Sequence, residues 1–480
     1  MERDVGQVNR IDVLPDDVLL GIFDFHVYAS PWDDRNAGTD AWQLLVHVCR
    51  RWRNLVFESP RRLNLQLYCT PKTSAKRTLD VWPALPLIVS DDLSFSLDFE
   101  NVVAILGQNN RVCEVSLLRL ANWQLEEVLA AMQVPFPLLT YLRLSPHDET
   151  PPVIPDSFLG GSAPHLQWLD LDGIPFPGFP KLLLSTTHLI TLWLTNIPHS
   201  HYISPETIVA LISVLSSLTS FFLEFDFRQP RPDWEIQSLP PLNRSILPAL
   251  NMFHFRGHTE YLEELVACIS APQLHEMHVT FFNQIDHGCP RLAQFINCTP
   301  CLRVLDRAHV QFYDDTASVN LCRFGTSRPG GSGFDDLWLN ILCRKPDRQL
   351  SSIGQICNPS LHPLSTIADL CIVHPYSELV WKHGSIENTL WLQFLLPFTM
   401  VKNLYLSEEY APPIAAALKE LVGSRITEVL PRLQNILVEG LRISGPVPEN
   451  IEQFAAARQL SGHPIAISGW DKNFYNTKSI

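Results

Sequence analysis

Charge is scarce in this sequence. Of 480 residues only 18% are Asp, Glu, Lys or Arg, and the acids outnumber the bases 50 to 36. A net charge of −14 leaves little basic surface, which argues against nucleic acid or an anionic membrane as the main partner. Long apolar runs are missing too: none approaches the roughly 18 residues of a membrane-spanning helix. Residues 1–9 are polar and charged, without the apolar centre of a secretory signal. The chain is therefore expected to be soluble, in the cytoplasm or the nucleus. Its 11 cysteines are scattered and odd in number. Cys298 and Cys301, in "NCTPC", are the nearest pair, and no second pair follows at zinc-ligand spacing, so reduced thiols are expected and no metal. The sequons at Asn243 and Asn297 would matter only in a secreted protein.

Catalytic signatures are equally thin. There is no GxSxG, and no cysteine has a nucleophile's motif around it. "HSH" at His199 and His201 lacks supporting ligands, and "RPGGSGF" from Arg328 lacks the Lys-Ser/Thr pair of a phosphate loop. Both read as surface loops. No catalytic residue and no cofactor is expected.

What the sequence does contain begins at Val8 with "VNRIDVLPDDVLLGIFDF". Pro15 suits a helix's first turn, and Asp16 and Asp17 suit the positive end of its dipole. Leu14, Val18, Leu19, Ile22 and Phe23 recur at helical spacing. A second helix is predicted over "AWQLLVHVCRRWRNLVF", with Leu45, Val48, Cys49, Trp52 and Val56 on one side and Arg50, Arg51 and Arg53 on the other. Helices this short bury too little surface to stand alone.

"LPDDVLLGIF" followed by "LLVHVCRRWRNLV" resembles an F-box, the module that docks on the Skp-type adaptor of cullin-RING ubiquitin ligases. The resemblance covers residues 10–62. It implies that Leu14, Pro15, Val18, Leu19, Ile22 and Phe23 face the adaptor. Leu45, Val48, Cys49 and Trp52 would complete that interface or the small core beneath it. Where the family has a short connection, this chain has "HVYASPWDDRNAGTDAW", which reads as a surface-loop insertion.

The remainder repeats one phrase. "LTYLRL", "LQWLDL", "LITLWL", "LTSFFL" and "LNMFHF" carry apolar residues at positions 1, 4 and 6, and similar phrases run on to "VKNLYL" and "LQNILV". Twelve such phrases begin at Val112, Leu139, Leu166, Leu189, Leu218, Leu250, Leu274, Leu302, Phe334, Ile367, Val401 and Leu433. Their spacing of 23 to 34 residues is that of leucine-rich repeats at the long end of the range. In each, positions 4 and 6 alternate as a short strand does and point into a core that only stacking can close. "WQLEEVLAAM", "PETIVALISVL" and "IAAALKELV" supply returning helices. The expected fold is α/β: a helical F-box at 10–62 after a tail at 1–9, then irregular first strands within 63–111. A solenoid at 112–454 follows, with a curved parallel sheet inside and helices outside, and a cap and tail occupy 455–480.

If positions 4 and 6 point inward, positions 3, 5 and 7 line the opposite, concave face. They are Tyr141, Arg143, Trp168, Asp170, Asp172, Trp193, Phe222, Glu224, His254, Arg256, Glu276, His278, Trp338, Asn340, Asn403 and Tyr405. Aromatics beside carboxylates have the composition of an interaction hot spot, unless the segment "RQPRPDWEIQSLPPLNRS" covers them. With the F-box resemblance this implies a non-catalytic receptor of an SCF-type ubiquitin ligase, with a Skp-type adaptor, a cullin beyond it, and an unidentified target protein as partners. A repeat scaffold acting outside ubiquitination is the alternative.

Overall fold

Prolines and capping side chains decide where the N-terminal helices start and stop. In a computed structural model, which describes residues 14–28, 41–60, 62–70, 74–91, 99–176, 179–198, 203–226, 244–282, 285, 287–323, 336–373, 386–441 and 449–470, the chain divides into two units, 1–189 and 190–480. The first opens with α1 (Asp16–Tyr28), α2 (Ala41–Val46) and α3 (Arg50–Glu58). The carbonyl of Pro15 accepts from the backbone N–H groups of Val18 and Leu19, which starts α1. Arg51 donates to the Asp16 carboxylate and to the Leu14 carbonyl, both at 2.6 Å, and so fastens the start of α3 to the start of α1.

The single helix predicted over residues 41–57 is two helices. The break falls at Cys49, whose backbone is extended (φ −157°, ψ 171°) and whose sulfur accepts from the Trp52 N–H at 3.5 Å. A side-chain acceptor at that position competes with the helix interior and caps a new start instead. Leu19, Phe23, Leu45, Val46 and Val56 close the small core, with the rings of Phe23 and Trp52 at 4.7 Å. The Trp42 indole donates to the Gln66 carbonyl at 3.0 Å, tying α2 to the chain that enters the sheet.

Five parallel strands follow in sequence order: β1 (Leu67–Cys69), β2 (Leu87–Asp91), β3 (Val112–Leu120), β4 (Tyr141–Pro146) and β5 (Trp168–Asp172). Positions 4 and 6 lie in register and inside: Leu142 pairs with Leu169 and Leu144 with Leu171, and all four are buried. The irregular first strands join this sheet. Leu87 and Val89 are fully buried, and a register shift between Leu87 and Ile88 marks the irregularity of β2.

The second unit holds β6 (Thr191–Ile197), β7 (Ser220–Phe225), β8 (Ser245–Ile246), β9 (Met252–Gly257), β10 (Ile269–Ser270), β11 (Glu276–Phe281), β12 (Arg307–Phe312), β13 (Thr316–Cys322), β14 (Leu337–Leu342), β15 (Asp369–Val373), β16 (Asn403–Leu406), β17 (Asn435–Glu439) and β18 (Ala466–Trp470). β8 and β10 pair with each other, and the rest run in the order β6-β7-β9-β11-β14-β13-β12-β15-β16-β17-β18. The expected all-parallel stack is therefore interrupted. β12, β13 and β14 form an antiparallel meander, so that β14 pairs with β11 and β12 with β15. The phrase read from Leu302 is not a strand. Pro300–Leu302 is a 3-10 turn, and the repeat starts at Leu305, with Ala308 and Val310 at positions 4 and 6 opposite Leu370 and Ile372. A proline-initiated turn has taken the first leucine.

At the far end, the segment expected as a cap from residue 455 begins inside a helix that starts at Glu449. The helix Glu449–Leu460 leads to β18, which pairs with β17. Arg458 in that helix is fully buried and donates to the carbonyls of Ile426 at 3.1 Å, Leu430 at 3.4 Å and Pro431 at 3.3 Å. It satisfies backbone carbonyls of the preceding turn.

Candidate functional site

Two kinds of surface stand out, one on the N-terminal helices and one on the strands. On α1, Val18, Ile22 and Phe25 follow each other at i, i+4 and i+7 and are exposed, Phe25 at 76%. Leu44 and Val48, at 65% and 58%, add apolar surface from α2 and the turn after it. The docking set read from the sequence thus divides. Pro15, Val18, Ile22 and Val48 are exposed, and Leu14, Cys49 and Trp52 are half-buried. Leu19, Phe23 and Leu45 are buried in the helical core and offer nothing to a partner. Phe25 and Leu44 were missed, although their helical spacing from Ile22 and Val48 was the signal that could have found them.

The strand face of the first unit carries Tyr141 stacked on Trp168, with ring centroids at 5.5 Å. Asp170, read as a contact residue, is not offered to solvent: it is 2% exposed, with Arg143 Nε 2.9 Å from its carboxylate. Arg143 is long enough to lie across its neighbour while Asp170 is short enough to be covered. Beside them Ser145 donates to Asp172 at 2.9 Å.

The second unit's strand face carries a continuous ladder of rings. Position 5 is in register from strand to strand, so Trp193 on β6, Phe222 on β7, His254 on β9, His278 on β11 and Trp338 on β14 are cross-strand neighbours. Successive centroids lie 4.5, 5.0, 5.7 and 5.4 Å apart. All five residues are half-buried. Trp338 reaches the ladder only because the meander places β14 beside β11. Its indole donates to Asn340 at 2.7 Å, and Asn340 donates to Thr280 at 3.4 Å.

Burial, with His278 and Arg256 beside it, pulls the His254 imidazole down to about 4. Its 3.2 Å contact between Nε2 and Glu224 is therefore a hydrogen bond from a neutral ring at pH 7, not an ion pair. The Arg256 guanidinium lies 5.8 Å over the Phe282 ring. Beyond the meander the face turns polar. Arg307 lies 3.9 Å from Asp369, Asn403 donates to Asp369 at 2.6 Å, and Asn435 donates to Asn403 at 2.7 Å. Burial, then Arg307, brings His309 to about 4. Tyr405 packs edge-on against Trp470 at 5.5 Å, and burial pushes its hydroxyl up to about 12.

No group of three His, Cys, Asp or Glu side chains able to hold a metal occurs among the described residues, and no helix there is long and apolar enough to cross a membrane. Burial pushes Cys113, Cys289 and Cys357 up to about 12, the reverse of what a nucleophile needs. His199 and His201, the glycines after Arg328, most of the 228–245 segment and residues 29–40 of the insertion lie outside the described residues.

No family model matches the chain, and no curated protein does. Among solved structures it is similar to the leucine-rich repeat-containing protein LegL7 from Legionella pneumophila. That likeness has 14% identity, covers 83% of this chain and 98% of that one, and has a TM-score of 0.27. The repeat architecture rests on this chain's own registers and buried positions.

Proposed function

We propose that the chain is a non-catalytic receptor: its N-terminal helices dock on a Skp-type adaptor of an SCF-type ubiquitin ligase, and its strand face holds a target protein. The carrying observation is the exposed stripe Val18, Ile22, Phe25, Leu44 and Val48 over a closed core of Leu19, Phe23 and Leu45. A small helical module that leaves five large apolar residues exposed, in a sequence that resembles an F-box, has the make-up of a docking surface. The ring ladder supports the second half of the reading. Half-buried aromatics locked by their neighbours cost little side-chain entropy on binding. In this role the chain forms and breaks no bonds. It raises the effective concentration of a target lysine near a ligase-bound ubiquitin carrier.

Co-expression with a Skp-type adaptor, followed by affinity capture and gel filtration, tests this. The expected result is a one-to-one complex that Val18→Asp with Ile22→Asp abolishes without unfolding the protein. Folded protein that runs free of every adaptor tried would leave the repeats as an interaction scaffold acting outside ubiquitination.

A further inference from the structure

The second unit holds an open groove of about 630 Å³, within the size range of ligand sites. It lies where the helix Pro290–Cys298, which carries the chain from β11 past two strands to β12, meets the return that leads from β14 into β15. Pro290 and Ala293 give it an apolar side, and Gln294, Arg303, His362 and Ser365 give it polar groups. No Asp or Glu is among its lining residues, although the chain carries a net charge of −14.

The walls are fixed before any ligand arrives. Asn297 donates to the Ser360 carbonyl at 2.7 Å and accepts from the His362 N–H at 2.9 Å. Thr366 donates to the Leu305 carbonyl at 2.6 Å. Arg303 uses Nε on the Asn297 carbonyl, and its two Nη groups meet no partner among the described residues. The His362 ring and the Gln294 amide are likewise unpaired there. On the strand faces, by contrast, Arg143 lies against Asp170, and the Arg256 guanidinium lies over the Phe282 ring.

We infer that this groove is a second binding site, which takes a phosphate-bearing ligand on the Arg303 guanidinium, with His362 and Gln294 as further donors. A planar guanidinium with free Nη groups matches two phosphate oxygens, and a lining without carboxylates imposes no repulsion. The site stands apart from the strand face and does not depend on adaptor docking. The phosphate can belong to a free small molecule or to a phosphorylated side chain of a bound protein.

The test uses the full-length chain and calorimetric titration with three probes: inorganic phosphate, a phosphoserine peptide and the same peptide unphosphorylated. Saturable binding of the phosphorylated probes, weakened about tenfold or more by Arg303→Ala and partly kept in Arg303→Lys, supports the site. His362→Ala should weaken it less. A phosphopeptide that binds much more tightly than inorganic phosphate identifies a protein source, and equal binding a free one. The variants' melting transitions should match the parent's. Absence of saturable binding, or binding unchanged by both Arg303→Ala and His362→Ala, overturns the inference.

Discussion

Replacing Arg143 by methionine separates a structural role for the first unit's strand face from a binding role. Asp170 is only 2% exposed and sits 2.9 Å from Arg143 Nε, whereas the Arg143 side chain is 40% exposed. Removing one partner of a buried pair costs about 3–5 kcal/mol. Solvent reaches the arginine, so the figure falls to about 2–3 kcal/mol for this pair. Asp170→Asn alone should cost less, because an amide is cheaper to bury than a carboxylate. In the double variant the two losses should fall short of additive by about 1–2 kcal/mol, as contacting residues do. Urea unfolding of the four proteins, read by tryptophan fluorescence, measures this. If Arg143→Met stays within about 0.5 kcal/mol of the parent, as a free surface residue would, the pair is not structural and Arg143 is available to a partner.

Other substitutions distinguish the remaining features. Phe23→Ala should cost about 3–5 kcal/mol and melt the helical module, while Ile22→Asp should leave its helicity intact, as circular dichroism of the two variants would show. Acid should weaken the second unit. His254 and His309 fall to about 4 in the folded chain, from about 6.5 unfolded. Their stabilisation is therefore complete above pH 6.5 and is lost as pH drops toward 4, at up to about 3 kcal/mol for His309 and less for the partly exposed His254. Unfolding curves of His309→Gln across that interval should be flatter than the parent's, and an unchanged slope would contradict the assignment. Arg458→Met leaves the carbonyls of Ile426, Leu430 and Pro431 without their donor. It should cost about 2–4 kcal/mol and appear as early loss of exchange protection in residues 426–470 only.

Much of the strand face was legible because the repeat phrase fixes which side chains alternate. Phe253 and Phe255 had to go inside, which left Met252, His254 and Arg256 outside, and the structure places them so. The order of strands in space was not legible. A phrase such as "FDDLWL" reads the same whether its strand follows or precedes its neighbour, so the meander of β12, β13 and β14 carried no signal in the spacing. β13 has no leucine phrase, only the alternation of Ala317, Val319 and Leu321. The helical module was half legible. Adjacent residues on a helix differ by about 100°, so grouping Val18 with Leu19 and Ile22 with Phe23 merged an outward stripe with an inward one. Cys49 was taken as an interior helical residue because capping by cysteine is rarer than by serine or aspartate.

The most direct measurement of the account is hydroxyl-radical footprinting of the chain with and without a Skp-type adaptor. Docking through the exposed stripe predicts protection of Val18, Ile22, Phe25, Leu44 and Val48, with Trp193, Trp338 and Tyr405 unchanged and left for a target. Protection of the ring ladder by the adaptor, or none on α1 and α2 in a mixture that co-elutes, would contradict it.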